Sequence, residues 1–223
     1  MTDLVATTIT SDDDTPPVTR EVQGEATRAR LVAVAVTALE KGGEGSVKIR
    51  DIAHAMGVSV GAVYHHFESR EDLIVAARLA QFEGLISGDV DAIRQLADTA
   101  ETVDDMRRGM RFLNRAAHSA ARSDFRQLRS EVVGVARHND GLAAALSAAQ
   151  ERCTAELVEV VIGLQEKGLA NPALDPRAVA TFLQAIALGL VLDDINTDQP
   201  MDREAWHSLT DTVYEVFLGP GPS

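Results

Sequence analysis

Two short stretches of helical periodicity, separated by a tight turn, stand out in residues 49–67. Apolar residues of the first stretch recur at intervals of three and four, which lines one helix face: Ile49, Ile52, Ala53 and Met56. Gly57 supplies the positive φ that ends a helix, and Ser59 can cap the next one by accepting from a backbone N–H. Val63 and Phe67 point that next helix into the same core. The pattern predicts a helix-turn-helix, whose second helix enters the DNA major groove.

The remaining sequence is also periodic at helical spacing, so we expect an all-α chain of about nine helices. The first covers residues 25–40 and ends at Gly42 and Gly43. A capping box at residues 69–72 opens the fourth, which runs towards Ile86 and, past a break at Gly88, to about residue 97. The later helices are predicted over residues 102–121, 124–137, 140–167, 175–192 and 202–217.

Residues 49–73 resemble the DNA-binding domain of the tetracycline-repressor (TetR) family of bacterial transcription regulators. The matching positions are Ile52-Ala53, Gly57-Val58-Ser59, Gly61, Val63-Tyr64, His66-Phe67, Ser69-Arg70-Glu71 and Leu73. The resemblance implies a small N-terminal DNA-binding domain followed by a larger helical domain that binds an effector and forms dimers. Because most members of the family are repressors, the resemblance also implies a repressor that a small molecule releases from a palindromic operator.

Four segments follow from the pattern and the resemblance together. Residues 1–24 are rich in Thr and Asp without periodicity, which predicts a disordered acidic tail. Residues 25–70 are the predicted helix-turn-helix DNA-binding domain. Residues 71–218 are the predicted helical effector-binding and dimerisation domain, and residues 219–223 a flexible C-terminus.

Charge and cysteine content narrow the class of protein. The net charge of −13 argues at first against nucleic acid, but residues 20–70 hold seven basic against six acidic side chains. The acidity therefore lies outside the proposed DNA-binding domain. A single cysteine, Cys153, fits a reducing cytoplasm, and neither a secretory signal nor an apolar run of about 20 residues is evident. We expect a cytoplasmic protein without a membrane span.

The candidate DNA contacts lie on the side of the second motif helix that faces away from Val63 and Phe67. Val60 could contact a thymine methyl, while the Tyr64 hydroxyl and the His65 imidazole suit phosphate oxygens. Two basic residues at neighbouring helix starts would flank the groove, and the resemblance supports phosphate roles for two of the set. The predicted DNA-binding residues are Lys48, Ser59, Val60, Gly61, Tyr64, His65 and Arg70, with the phosphate roles assigned to Tyr64 and Arg70.

A homodimer is predicted from two C-terminal helices. Residues 178–192 are apolar nearly all round, and a helix buried on several faces needs partners beyond its own domain. The last helix carries apolar residues at the spacing of a bundle seam. The two helices could instead complete the core of a single chain. The predicted interface residues are Phe182, Ile186, Leu190, Trp206, Leu209 and Val213.

An effector cavity is predicted in the C-terminal domain, with an apolar lining of Met110, Leu113, Leu157 and Phe182. A row of arginines on one helix side has two interpretations. It is either a solvated face paired with Asp and Glu, or a cationic lining for an anionic effector such as an acyl-thioester or a carboxylate. The row consists of Arg107, Arg111, Arg115 and Arg122.

Metal and cofactor sites are not expected. His65 and His66 are adjacent and diverge by about 100° on a helix, and no further ligand stands three or four positions away. The chain also has no phosphate loop, nucleophile elbow or zinc motif, which argues against an enzyme. A helical adaptor without DNA binding, or a helical enzyme, is the alternative to the regulator. The partners expected are double-stranded operator DNA, an unidentified small-molecule effector and a second copy of the chain.

Overall fold

The computed structural model describes residues 20–219, and within that range the chain is helical with no strand. Ten α-helices follow one another: α1 (Arg20–Gly42), α2 (Ile49–Met56), α3 (Val60–His66), α4 (Arg70–Thr99), α5 (Val103–Ala117), α6 (Ser123–Ala136), α7 (Asp140–Glu166), α8 (Pro176–Gly189), α9 (Val191–Ile195) and α10 (Arg203–Phe217). Short 3-10 turns precede α2 and α6. Only Leu190 separates α8 from α9. When these two are counted as one bent helix, the described residues contain nine helices, which agrees with the predicted number.

An N-terminal core joins α1, α2, α3 and the start of α4. The side chains of Leu31, Val47, Val63 and Leu73 are completely buried there, although they are far apart in sequence. Burying a large aliphatic side chain contributes about 1.5–3 kcal/mol. The core therefore fixes α3 firmly against α1 and leaves the opposite side of α3 exposed.

The long helix α4 connects this core to the C-terminal bundle. Its 30 residues span about 45 Å. The first part packs on α1, and the later part packs on α7 through residues such as Phe82, Ile86 and Val90. A third apolar cluster joins α5, α7 and α10 around Met106, Leu164 and Tyr214. One continuous helix thus connects the two parts of the protein.

Local capping signals in the sequence are confirmed. Ser69 and Asp72 form a reciprocal capping box at α4, and Thr102 with Asp105 forms another at α5. Asp175 caps α8, which has Pro176 in its first turn. These interactions satisfy backbone N–H groups that have no partner within a helix. Helix α7 begins at Asp140 as predicted, and Asn139 caps it by accepting from Leu142 N.

Several predicted boundaries need correction. Helix α1 begins at Arg20, so residues 20–24 of the predicted tail are helical, while residues 1–19 lie outside the described range. Gly88 does not break α4, since the neighbouring turns hold it in one helix. Helix α5 ends at Ala117, because a 3-10 turn over Ala120–Arg122 redirects the chain. Of the predicted C-terminus, Gly219 is described and residues 220–223 lie outside the range.

A buried ion pair fixes α9 against α6. The Arg126 guanidinium donates from Nε and Nη2 to the two carboxylate oxygens of Asp194, at 2.6 and 2.5 Å. Arg126 also donates to the backbone carbonyls of Ala117 and Ser119. Hydrogen bonds from this guanidinium hold the pKa of Asp194 below its usual range. The pair fixes the bend after Leu190, which the apolar pattern of α8 does not predict.

Candidate nucleic-acid interface and effector cavity

The turn between α2 and α3 has the predicted geometry. Gly57 adopts a left-handed φ of 67°, and Val58 N donates to Ala53 O at 3.0 Å. A residue with a side chain is strained at such a φ, which explains the glycine. Ser59 Oγ then accepts from Ala62 N at 3.1 Å and starts α3. The second motif helix is thereby held at an angle to the first.

The outward side of α3 presents a small exposed surface, which we call the reading face: Ser59, Val60, Gly61, Tyr64 and His65. Tyr64 is 50% exposed and Val60 38% exposed, although both are large and partly apolar. The inward residues Val63 and Phe67 are buried, and the Arg28 guanidinium lies 4.9 Å from the Phe67 ring centre. The structure therefore brings all five predicted α3 residues together on one side of the helix.

The two flanking basic residues differ in their surroundings. Lys48 is exposed at the start of α2. Arg70 instead turns inward: its Nε donates to Val47 O at 2.7 Å, and Nη2 donates to Glu44 O. Because its donors bind the segment before α2, Arg70 positions the motif from within, whereas Lys48 remains on the surface.

A cavity of about 110 Å³ lies in the C-terminal bundle between α4, α5, α7 and α8. Most of its wall is apolar, with a few polar groups. It is lined by Ile86, Asp89, Val90, Ala92, Ile93, Met110, Leu113, Asn114, Ala116, Ala117, Arg122, Arg129, Cys153, Leu157, Leu183, Gln184, Ile186, Ala187, Leu190 and Tyr214. An apolar cavity with few convergent polar groups is the usual form of a small-molecule site.

The charged side chains of the cavity wall meet at Asp89, and we call this part the charged end. Arg122 Nη2 donates to Asp89 Oδ1 at 2.5 Å, whereas Arg129 Nη1 lies 3.9 Å from Asp89 Oδ2. Burial lowers the pKa of Arg129, and the negative charge of Asp89 offsets this lowering only in part. Burial also raises the pKa of the Cys153 thiol. It raises the pKa of Tyr214 to about 12, so both side chains line the wall in their neutral forms.

Three of the four predicted cavity residues, Met110, Leu113 and Leu157, line this cavity. Phe182 does not, and the prediction is corrected there: the side chain is 39% exposed and packs edge-on against Phe217, with ring centres 5.2 Å apart. The next residue, Leu183, faces the cavity instead, because neighbouring helix positions diverge by about 100°. Of the charged end, the sequence indicated only Arg122, since Asp89 and Arg129 carry no local signal.

The row of arginines on α5 is mostly a solvated face. Arg107 pairs with Asp104 and Glu215, and Arg111 Nε lies 3.1 Å from Asp211. Arg115 is half exposed on the same side. Only Arg122, beyond the end of α5, reaches the cavity. The paired-surface interpretation therefore describes the members on α5.

Helices α8, α9 and α10 carry exposed apolar side chains, which we call together the apolar face: Phe182, Leu188, Leu192, Ile195, Leu209 and Val216. Residues Pro176–Ile195 are long and apolar enough to cross a membrane, and 17% of that stretch is buried within the chain. Of the predicted interface residues, Phe182 and Leu209 lie on this face. Trp206 and Val213 are half-buried. The prediction that Ile186 and Leu190 are interface residues is corrected, because both point inward and line the cavity.

Within the described residues 20–219, no group of three or more His, Cys, Asp or Glu side chains could hold a metal ion. His65 and His66 face each other edge-on at the end of α3, with ring centres 5.3 Å apart. Their arrangement is that of two neighbouring surface side chains.

Comparisons with known proteins agree with this arrangement of domains. The family model described as "Bacterial regulatory proteins, tetR family" matches residues 31–77. The model described as "BetI-type transcriptional repressor, C-terminal" matches residues 116–218, and the two matches together span about two thirds of the chain. The chain belongs to the TetR family. It is a DNA-binding transcriptional regulator, and the enzyme alternative is excluded.

Individual TetR-family relatives are distant. The transcriptional regulator UidR of Escherichia coli is 25% identical over 83% of this chain and 89% of its own length. The transcriptional repressor KstR2 of Rhodococcus jostii is 36% identical over 27% of this chain, a match that spans 30% of that repressor. A TetR-family regulator from Mesorhizobium loti has the same fold, with a TM-score of 0.65 at 18% identity over 90% of this chain and 99% of that one.

Proposed function

We propose that this TetR-family chain is a cytoplasmic homodimeric repressor that binds a palindromic operator and leaves it when a small molecule fills the cavity. The observation that carries the DNA-binding part is the reading face on α3. Its side chains are exposed, while the opposite side of the same helix is buried in a rigid core. A major-groove helix requires both features.

In this proposal Val60 contacts base edges, and Tyr64 and His65 contact phosphates. Lys48 adds a phosphate contact at the start of α2, and Ser59 and Gly61 allow the backbone to approach the groove. Arg70 acts from behind by holding the segment before α2, through its hydrogen bonds to Val47 and Glu44. We thus replace its expected phosphate contact with a positioning role.

The apolar face supports the homodimer. Several large apolar side chains exposed on the last three helices of a single chain mark an interaction surface. In a TetR-family regulator a second copy is its natural occupant, since two reading helices related by a two-fold axis can read a palindrome. Asp193 and Asp194 near the end of α9, with their partners His118 and Arg126, favour this occupant over a membrane.

The cavity supports the response to an effector. A transcriptional regulator from Saccharomonospora viridis with a similar fold was determined in complex with choline; the TM-score is 0.57 at 17% identity. We infer that the equivalent bundle of this chain holds its own effector. The cavity does not determine whether the chain represses or activates transcription. A relative that is 27% identical, the FasR protein of Mycolicibacterium smegmatis, is an activator.

The DNA-binding proposal is tested by one substitution on the reading face. Gly61→Glu adds a negative side chain where a Cβ meets only Ser59 Oγ at 3.8 Å, so we expect a folded protein that retains no genomic fragment in a mobility-shift assay. Gly84→Glu is the matched control, because Gly84 lies on the exposed side of α4 with nothing within 4 Å of a Cβ. Equal fragment retention by both variants would contradict the proposal.

A further inference from the structure

Arg129 is the least satisfied buried cation in the described part of the C-terminal bundle. Its side chain is 10% exposed, and its nearest carboxylate oxygen lies 3.9 Å away, beyond hydrogen-bond distance. Arg126, one turn earlier on α6, instead donates to Asp194 and to two backbone carbonyls. A buried guanidinium with five donors is costly to leave without acceptors. Its donors face a cavity, which indicates that a ligand supplies the acceptor.

The sign of the charge at this end of the cavity favours an anionic ligand. Asp89 already accepts from Arg122 at 2.5 Å and also faces Arg129, so one carboxylate lies between two guanidinium groups. The balance is one positive charge. A quaternary ammonium ligand would need aromatic side chains around it, and Tyr214 is the single aromatic residue in the described lining. The cavity is therefore unsuited to choline.

The shape of the cavity indicates the rest of the ligand. Ile93, Met110 and Leu183 also line a second, apolar cavity of about 40 Å³, which none of Asp89, Arg122 and Arg129 borders. The three charged residues instead border a separate cavity of about 30 Å³, so the space of about 110 Å³ has a charged end and an apolar end. For comparison, an engineered apolar cavity of about 150 Å³ binds benzene.

We propose that the effector is a small aliphatic carboxylate, with its head group on Arg129 and its tail against Met110 and Leu183. The planar guanidinium would donate two parallel hydrogen bonds to the two carboxylate oxygens. This assignment rests on the proposed function, because it names the chemistry of the same cavity. It adds a specificity residue that the sequence pattern did not identify.

The probes are butanoate, hexanoate and octanoate, with hexanamide and choline as matched neutral and cationic compounds. Calorimetry on the full chain without DNA should show hexanoate binding at least about tenfold more tightly than hexanamide, with no binding of choline. Affinity should rise with tail length until the apolar end is filled. Equal or tighter binding of hexanamide or choline, or no binding by any carboxylate, would overturn the assignment.

Arg129→Gln tests the residue itself, and Arg137→Gln on the exposed end of α6 is its control. The first variant should lose the preference for hexanoate over hexanamide with its Tm unchanged or raised, because a poorly paired buried charge has been removed. Arg129→Lys should keep part of the preference. A clear fall in Tm or an unchanged preference would show a structural role instead. Operator binding without ligand is measured separately, so loss of carboxylate binding alone leaves the DNA-binding proposal intact.

Discussion

The guanidinium of Arg78 lies 2.9 Å from the carboxylate of Glu131 and so joins α4 to α6. The same guanidinium lies 3.6 Å from Glu44, in the turn that leads into α2. Its side chain is 6% exposed, although both partners reach the surface. Because α6 also carries Arg129, a chain of elements runs from the cavity wall along α6 to Glu131, and through Arg78 to the segment that Arg70 holds in place. We propose this chain as the route by which the effector acts on DNA binding.

Glu131→Gln should weaken that route. In this variant the ion pair is reduced to a hydrogen bond with a neutral side chain. The change in operator affinity caused by saturating hexanoate should therefore shrink several-fold. A loss of that size lies within the coupling free energies of about 1–3 kcal/mol that are typical of allostery. Affinity for the operator without ligand should change little. Fluorescence anisotropy with and without hexanoate measures the ratio.

The control for Glu131→Gln is Glu156→Gln, which removes an exposed ion pair between α7 and α4, with Arg94 Nη2 at 2.6 Å. That pair lies away from the turn before α2, so the ratio should stay at its parental value. If both variants reduce the ratio equally, general stability of the bundle rather than the Arg78 contacts carries the effect.

Arg70→Gln should destabilise the protein as well as its complex with DNA. The variant loses donors to Val47 O and Glu44 O, and hydrogen bonds that involve a charged group contribute about 1.5–3 kcal/mol each. We expect a lower urea midpoint and weaker binding to every operator sequence. An unchanged midpoint combined with a smaller salt dependence of DNA binding would instead identify Arg70 as a phosphate contact.

Tyr64→Phe should weaken operator binding by about 1 kcal/mol, similarly for all operator variants, since the hydroxyl is expected to donate to a phosphate. Stability should not change, because the ring is half exposed and the hydroxyl has no role in the core. Titrations against a panel of operator variants measure the effect. Unchanged affinity and an unchanged salt slope would refute the contact.

Val60→Ala should flatten the preference at one base pair in each half-site and leave non-specific affinity intact. Val60 is apolar and 38% exposed at the leading end of α3, which suits contact with a thymine methyl. Operator selection with randomised half-sites gives the base preference directly. A variant with the parental preference would exclude this contact.

Leu209→Glu should convert the dimer into monomers and abolish operator binding. Leu209 is 59% exposed on the apolar face, so the variant chain can fold, but an unpaired carboxylate in a dimer interface is costly. Val133→Glu places the same charge on an exposed position of α6 that is not part of the apolar face, and this variant should remain dimeric. Sedimentation that reports equal masses for both variants would contradict the proposed interface.

Ile186→Glu illustrates what the sequence can and cannot predict. The sequence predicts that this substitution acts at the dimer interface. In the structure Ile186 lines the cavity, so a carboxylate there would destabilise the fold of the single chain. Local signals such as Gly57, Ser59 and the capping boxes predict the helices, because they act within one turn. The inward side of a helix that is apolar all round depends on its neighbours, as Phe182 and Leu183 show.

The charged contacts follow the same rule. Arg78 and Glu131 are 53 residues apart, and Arg126 and Asp194 are 68 residues apart. Periodicity places each of these residues on a helix but cannot pair them, because the pairing depends on how distant helices cross. The row of arginines on α5 was visible in the sequence, whereas Arg129, on the next helix, required the assembled bundle.

Footprinting of the parent protein on genomic fragments, with the mass of the complex measured on the same DNA, tests the central claim most directly. The protein should protect a palindromic site whose half-sites are spaced by about one helical turn or a multiple of it, with chains bound in pairs. Saturating hexanoate should remove that protection. Protection of no fragment above competitor DNA, or binding of a single chain to an asymmetric site, would contradict the claim that this chain is a dimeric operator-binding regulator.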